Sequence, residues 1–277
     1  MAHSVGGRET RCPVRVSFVI VSHDRSAMIL RLVRSIKAHV LSPAWEVIIV
    51  DNASTEDVAS QIRAEFPEVI LRAESINHGF ARGCNLGAEM ARGEFLLFVN
   101  NDIELLGNSI PDMITELDRD PSTGLVGCEL RNEDGSAQPT AFRFPSLGLR
   151  WLQLSGLKKV ILRLRPSLRR GHAMVEAPDF LSGAFLMVRR SVFSEVRGFD
   201  EGYFMYLEDA DLAYRLRERG LRCRILHDPY VVHFGRHYEL QELGPVTLRM
   251  NRGLVRFYAI HHGHGWLRLL AVSSLLF

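Results

Sequence analysis

In the first half of the chain, short unbroken apolar runs alternate with amphipathic stretches. "VRVSFVIVS" (14–22) is β-branched and apolar, as strands buried on both faces are. "RSAMILRLVRSIKAHV" (25–40) follows, with Met28, Leu32, Val33 and Ile36 at helical spacing. The pattern then predicts a strand and turn in "WEVIIVDNAS", a helix in "TEDVASQIRAEF" and a third strand in "EVILRAE". A short helix in "CNLGAEMARG", a strand in "EFLLFVNND", a helix in "SIPDMITELDRD" and a fifth strand in "TGLVGCEL" complete this part. Repeated β-α units of this length predict an α/β fold: a doubly wound, mostly parallel sheet with helices on both faces. After residue 131 the rhythm breaks, then resumes with a strand and short helix in "SGAFLMVRRSVFSEVRGF". A helix opened by Glu208, Asp209 and Asp211 comes next, then strand and loop in "RCRILHDPYVVHF".

The interruption has a composition of its own. Residues 135 to 175 contain no Asp or Glu but eight basic residues, with Trp151, Leu154, Leu157, Ile161 and Leu164 at helical spacing. A solvated helix packed on the core fits this pattern; so does a surface for anionic membranes or a lipid-phosphate acceptor. The formal net charge of +2 is too small to imply nucleic acid. The four cysteines, Cys12, Cys84, Cys128 and Cys223, form no C-x-x-C pair, against a zinc knuckle or redox dithiol. No apolar run reaches the roughly 20 residues of a membrane-spanning helix, and the tail "GWLRLLAVSSLLF" is the nearest approach. "MAHSVGGRETRCPVRV" has no signal-peptide pattern, so a cytoplasmic setting is expected, with residues 1–12 a disordered lead-in.

The polar clusters fall where the predicted strands end, and in open α/β sheets ligands bind beyond those ends. Asp51, in "IIVDNAST", could cap the next helix, though Ser54 or Thr55 suits that task better; the other role is hydrogen bonding to a nucleotide's base or ribose. "NHGFARGCNLG" (77–87) places Gly79, Gly83 and Gly87 four apart, with Asn77, Arg82 and Asn85 beside them. Tight helix–sheet packing and phosphate binding both fit, while a dinucleotide fingerprint does not. Asn100, Asn101 and Asp102 end the fourth strand, as an Asx turn or as a site for a hard divalent cation sharing substrate phosphate. His233, after another strand, is a structural histidine or a metal ligand.

In this order, "VSHD", "VDNAS", "NHGFARGCNLG", "VNND", "SGAFLMVRR", "GFDEGYFMYLEDADLAYRLRERG" and "PYVVHFG" resemble glycosyltransferase family 2, the inverting nucleotide-sugar transferases with the GT-A fold. The resemblance covers roughly residues 14 to 240 and is strongest to the rhamnosyltransferase-type branch, with N-x-G-F-A-x-G and E-D-x-D-L together. It implies Asp209 as catalytic base and Glu208 as the residue orienting it or the acceptor. Donor contacts would come from Val21, His23, Asp51, Asn77, Gly79, Arg82, Asn85 and Asn101. Asp102 and His233 would hold a divalent metal, Mg²⁺ or Mn²⁺. The implied partners are a nucleotide-sugar donor, dTDP-rhamnose or a UDP-hexose, and a glycan or lipid-linked acceptor, with peripheral membrane association and cell-surface polysaccharide synthesis as the setting.

Residues 13–130 would form the donor half and 131–243 the acceptor and catalytic half of one domain, with 244–277 a C-terminal helical segment that could touch the membrane. Two positions depart from the family pattern. Asn100-Asn101-Asp102 replaces Asp-x-Asp and leaves one carboxylate, which implies weak metal binding without donor. His23 stands where many relatives have Tyr. A catalytically inactive nucleotide-sugar-binding module is the main alternative. A sugar-phosphate nucleotidyltransferase would need a Gly-rich loop after the first strand, and "VSHDRSAM" has no glycine.

Overall fold

A computed structural model describes residues 14–42, 44–146, 177–235 and 243–262. The lead-in 1–12, most of the acid-free basic segment and the apolar tail lie outside the described residues.

The apolar runs form strands β1 (Val16–Ser22), β2 (Trp45–Asn52), β3 (Ile70–Glu74) and β4 (Phe95–Asn100), which pair in parallel. Helices α1 (Ser26–His39), α2 (Val58–Glu65) and α3 (Phe80–Met90) connect them. After the short β5 (Ile103–Leu105) come α4 (Ile110–Arg119) and β6 (Thr123–Arg131). Then follow β7 (Ala141–Phe142), β8 (Phe180–Leu181), β9 (Phe185–Arg189), α5 (Arg190–Glu195), α6 (Glu208–Arg217), β10 (Arg222–His233) and α7 (Leu243–His261).

One eight-stranded sheet has the order β3-β2-β1-β4-β9-β6-β10-β5. Only β9 and β5 run against the rest, each antiparallel to its neighbours. Strand β9 joins β4 to β6, so a strand from beyond residue 180 lies between two from before residue 132.

Because strand side chains alternate in direction, the central strands feed two cores. Phe18 and Ile20 of β1, with Phe95, Leu97 and Val99 of β4, pack with residues of α1, α2 and α4. Val19, Leu96 and Phe98 point the other way, into a core shared with α3, α5, α6 and α7. Both faces are covered, which is why these strands carry no polar alternation.

The glycine spacing in α3 is a packing signal at two of its three positions. A Cβ at Gly83 would stand 2.7 Å from Val21 Cγ1, and one at Gly87 2.4 Å from Val19 Cγ1, so both glycines let the helix lie flat on β1. Helix α2 starts later than expected because Asp57, not Ser54 or Thr55, caps it, accepting from the Ser60 N–H. Helix α3 starts earlier, directly after Gly79, whose φ of 82° suits glycine.

The helix α7 docks on the domain, burying Phe257 and Tyr258. Its His261 Nε2 lies 2.8 Å from Asp211 Oδ1, and Arg215 Nε donates to Asp211 Oδ2 at 2.8 Å. Asp211 is 1% exposed. Removing one member of such a buried charged set strands the others. Asp211→Ala is therefore expected to lower unfolding free energy by about 3–5 kcal/mol in a urea titration. A loss under about 1 kcal/mol, the value of an exposed pair, would show that the set does not hold α7 in place.

Candidate active site

Register sets the polar strand ends side by side: Ser22 pairs with Asp51, and Val21 with both Val50 and Asn100. Asp51 is 7% exposed and accepts from the Ser54 N–H at 3.1 Å. Asn101 Nδ2 donates to Ser22 Oγ at 3.3 Å. The His23 ring, through Nδ1, lies 3.1 Å from the Asn52 carbonyl.

Two residues that the pattern reading passed over hold these loops. Asp24 Oδ1 accepts from the Thr55 and Glu56 N–H groups at 2.6 and 3.1 Å, tying the loop after β1 to the loop after β2. Asn52, 2% exposed, donates to Asn77 Oδ1 and the Gly79 carbonyl and accepts from the His78 N–H. Buried amides of this kind are hydrogen-bonded, and Asn52 finds its partners in a segment about 25 residues away.

Asp102 follows β4 and is 5% exposed. Strand β10 ends beside it: the Phe234 N–H donates to the Asp102 carbonyl, and His233 Nε2 stands 3.3 Å from Asp102 Oδ1. Arg25 Nη1 is 3.5 Å from Oδ2. Oδ1 is buried without a hydrogen-bond partner. An orphaned carboxylate oxygen facing an imidazole nitrogen fits a divalent cation, whose adjacent octahedral ligands sit about 3 Å apart for bonds of about 2.1 Å. Among the described residues no set of three or more His, Cys, Asp or Glu could hold such an ion, so phosphate or water would complete the shell.

The acid cluster opens α6 after two residues with left-handed backbone, Tyr206 (φ 73°) and Leu207 (φ 70°). Asp209 is half-buried. Burial pushes its carboxyl up to about 6, against the pull of the Gly183 and Ala210 N–H groups, which donate to Oδ2 at 3.0 Å and Oδ1 at 2.8 Å. Glu208 is held well above the usual carboxylate range, chiefly by burial and then by the charge of Asp209. Its Oε2 has no hydrogen-bond partner. Environment thus sets the two carboxyls apart: both are raised, and Glu208, the more deeply buried residue, has the unpartnered oxygen.

Main-chain bonds tie the two carboxylate sites together. The Gly183 N–H binds Asp209, while the next residue's carbonyl, Ala184 O, accepts from the Asn100 N–H at 2.9 Å. The Phe80 N–H donates to the Phe204 carbonyl at 2.7 Å, and a Cβ on Gly79 would stand 2.3 Å from that oxygen. The donor-side loop therefore abuts the "FMYLED" loop. Gly79 is required there by close backbone approach.

Other expected donor residues make contacts within the protein. Asn77 Oδ1 accepts from Asn52 and from the Gly79 N–H, bracing its own loop. Asn85 donates to the Phe199 carbonyl and to Glu201, and accepts from the Phe199 N–H. Arg82 pairs with Glu201 at 3.3 Å. Arg82 and Asn85 thus fasten α3 to the turn at 199–201, and Val21 packs against Gly83.

The family model of glycosyl transferase family 2 matches residues 17–197. The chain belongs to this family. Within family 2 it falls in the rhamnosyltransferase-like branch. It is 29% identical over 277 residues to the N-acetylglucosaminyl-diphospho-decaprenol L-rhamnosyltransferase of Mycobacterium tuberculosis, covering 90% of this chain and 85% of that protein. It is also 26% identical over 231 residues to rhamnosyltransferase WbbL of Escherichia coli K12, covering 80% and 84%.

Among solved structures it resembles the mannosyltransferase PcManGT of Pyrobaculum calidifontis in complex with GDP-Man and Mn²⁺, at a TM-score of 0.64 and 19% identity over 96% of this chain and 75% of that one. GalNAc-T7 with UDP, GalNAc and Mn²⁺ matches at 0.59 and 15%, over 95% and 55%. The fold is GT-A, and the activity of this family 2 member is glycosyl transfer. Among the described residues no helix is long and apolar enough to cross a membrane.

Proposed function

We propose that this glycosyltransferase moves a sugar from a nucleoside-diphosphate donor, dTDP-rhamnose first and a UDP-hexose second, to a hydroxyl of a lipid-linked or glycan acceptor, with inversion. The observation that carries the reading is the pair of unlike sites tied through Gly183 and Ala184: the carboxyl group of Asp209, and the Asp102–His233 pair at the strand ends.

Asp209 accepts the acceptor's hydroxyl proton as the new bond forms, a role worth about 10²- to 10⁴-fold for a positioned base. The Gly183 and Ala210 N–H groups hold the carboxylate in place. One base and one displacement invert the anomeric centre, as two-face glycosidase chemistry does. Glu208, beside the base and buried, orients it or the acceptor hydroxyl. Asp51 stands at the nucleotide end, where its buried carboxylate accepts hydrogen bonds from the base or ribose. Asp102 and His233 would hold Mg²⁺ or Mn²⁺, which supplies positive charge to the departing diphosphate.

The rhamnosyltransferases among its relatives support L-rhamnose, and the decaprenol-linked substrate named for the mycobacterial relative supports a lipid-linked acceptor. With such an acceptor, the setting we propose is the inner face of the cell membrane, in cell-surface polysaccharide synthesis. A thermal-shift panel of nucleotide sugars with Mn²⁺ or Mg²⁺ tests the donor. dTDP-rhamnose is expected to raise Tm most, by mass action on the folded state. If every donor leaves Tm unmoved with metal present, the reading falls.

A further inference from the structure

We propose that Gln138 is a positioning residue that fixes the tautomer of His233, turning the Nε2 lone pair toward Asp102. This rests on the reading that Asp102 and His233 hold the divalent ion.

The hairpin after β6 brings Gln138 to the site. Arg131 bridges Ala137, Gly135 turns the chain with φ of 79°, and the Gln138 N–H donates to the Leu130 carbonyl. Since Val232 of β10 pairs with Arg131, Gln138 lands beside the end of β10.

Its amide has one consistent orientation. Gln138 Nε2 lies 2.7 Å from the His233 carbonyl, a group that can only accept, so Nε2 donates. A second chain of bonds gives the same direction from an independent end. The exposed Asp134 carboxylate accepts from Ser136 Oγ at 2.5 Å. Ser136 Oγ then accepts from Asn132 Nδ2 at 2.8 Å, and Asn132 Oδ1 accepts from Gln138 Nε2 at 2.7 Å. With its nitrogen committed twice, the amide presents Oε1 to His233 Nδ1 at 2.8 Å. Oε1 is an acceptor, so Nδ1 carries the proton and neutral His233 has its lone pair on Nε2.

That lone pair faces Asp102 Oδ1 at 3.3 Å, with Asn100 Nδ2 at 3.5 Å as a weak neighbour. Two acceptors turned toward each other repel unless a cation or proton lies between them. A metal-ligating histidine needs this arrangement, because the outer hydrogen bond sets which nitrogen is free to bind. Gln138 thus belongs to the metal site although it could touch no metal itself.

The test separates this inference from the reading beneath it. Ring nitrogen chemical shifts of the full chain, metal-free at pH 8 and assigned by loss of the signal in His233→Ala, report the tautomer directly. The expected result is a protonated Nδ1 and a bare Nε2 for His233; a protonated Nε2 in the wild-type chain overturns the proposal without any Gln138 variant. Gln138→Met fills the same space without an acceptor. It should shift the ring toward the Nε2-protonated form and weaken Mn²⁺ binding about 10- to 100-fold, read by the electron paramagnetic resonance of free Mn²⁺ with dTDP or UDP present. Wild-type affinity and an unchanged tautomer in Gln138→Met also overturn it. If the wild-type chain binds no Mn²⁺ with either nucleotide, the metal reading fails, while the tautomer measurement still decides the role of Gln138.

Discussion

Asp209→Asn is expected to lower kcat by about 10²- to 10⁴-fold while donor binding, read by thermal shift, stays near wild type. In the proposed mechanism the carboxyl group is the lost base, and the proposed donor residues lie on the other side of the Gly183–Ala184 link. Folding should not suffer. Burial raises the folded-state value of Asp209 to about 6, so its contribution to stability is fully present below the ordinary carboxylate value and is lost as pH rises through about 6. At pH 8 the wild-type chain carries the whole cost of the buried charge, and asparagine removes that cost while losing one backbone hydrogen bond. The same value shapes the wild-type pH profile. Because the base must be ionised, kcat should fall about tenfold per unit below roughly 6. Near-normal turnover of Asp209→Asn would remove the base assignment.

Asp102→Asn should show a comparable loss by another route. Its carboxylate stands beside both His233 and Arg25, and the charge it would help to place on the diphosphate is worth several kcal/mol in the transition state. A fall of about 10²-fold or more in kcat/KM is expected, together with loss of the metal-dependent shift in Tm on adding donor. Without metal the variant should melt no lower than wild type. An amide N–H can donate to the His233 lone pair, where the carboxylate oxygen is buried and unpartnered. A functional site strained in this way is relieved when its function is removed. Metal-dependent donor stabilisation that survives in Asp102→Asn would place the ion elsewhere.

Much of the fold was legible because its signals are local. Continuous apolar runs in 16–22, 45–52 and 95–100 mark strands buried on both faces, and Met28, Leu32, Val33 and Ile36 mark a helix between them. The pairing of Asp211 with Arg215 follows from helical spacing and is present. Strand β9 was visible as a strand, but its antiparallel insertion between β4 and β6 depends on contacts distant in the chain.

The site divides along the same line. Polar residues at strand ends could be read, and so could Glu208 and Asp209 opening a helix. Which neighbouring segment a polar side chain meets could not: the contacts of Arg82 and Asn85 with Glu201 and the Phe199 backbone span more than a hundred residues of chain. Gln138, Asn52, Asp24 and Gly183 escaped for the complementary reason. Each acts through a partner in another segment, and nothing in its immediate neighbours announces that partner.

The position of β9 also bears on how such an enzyme can diversify. Strands β4 and β6 both precede residue 132, yet they meet only through a strand contributed from beyond residue 180. Recombination that exchanged everything after the fifth α/β unit as a cassette would bring a foreign spine into the middle of the sheet, and deletion would leave two raw edges open to aggregation. Insertions in the loops that overhang the strand tips, by contrast, leave the shared backbone ladder intact.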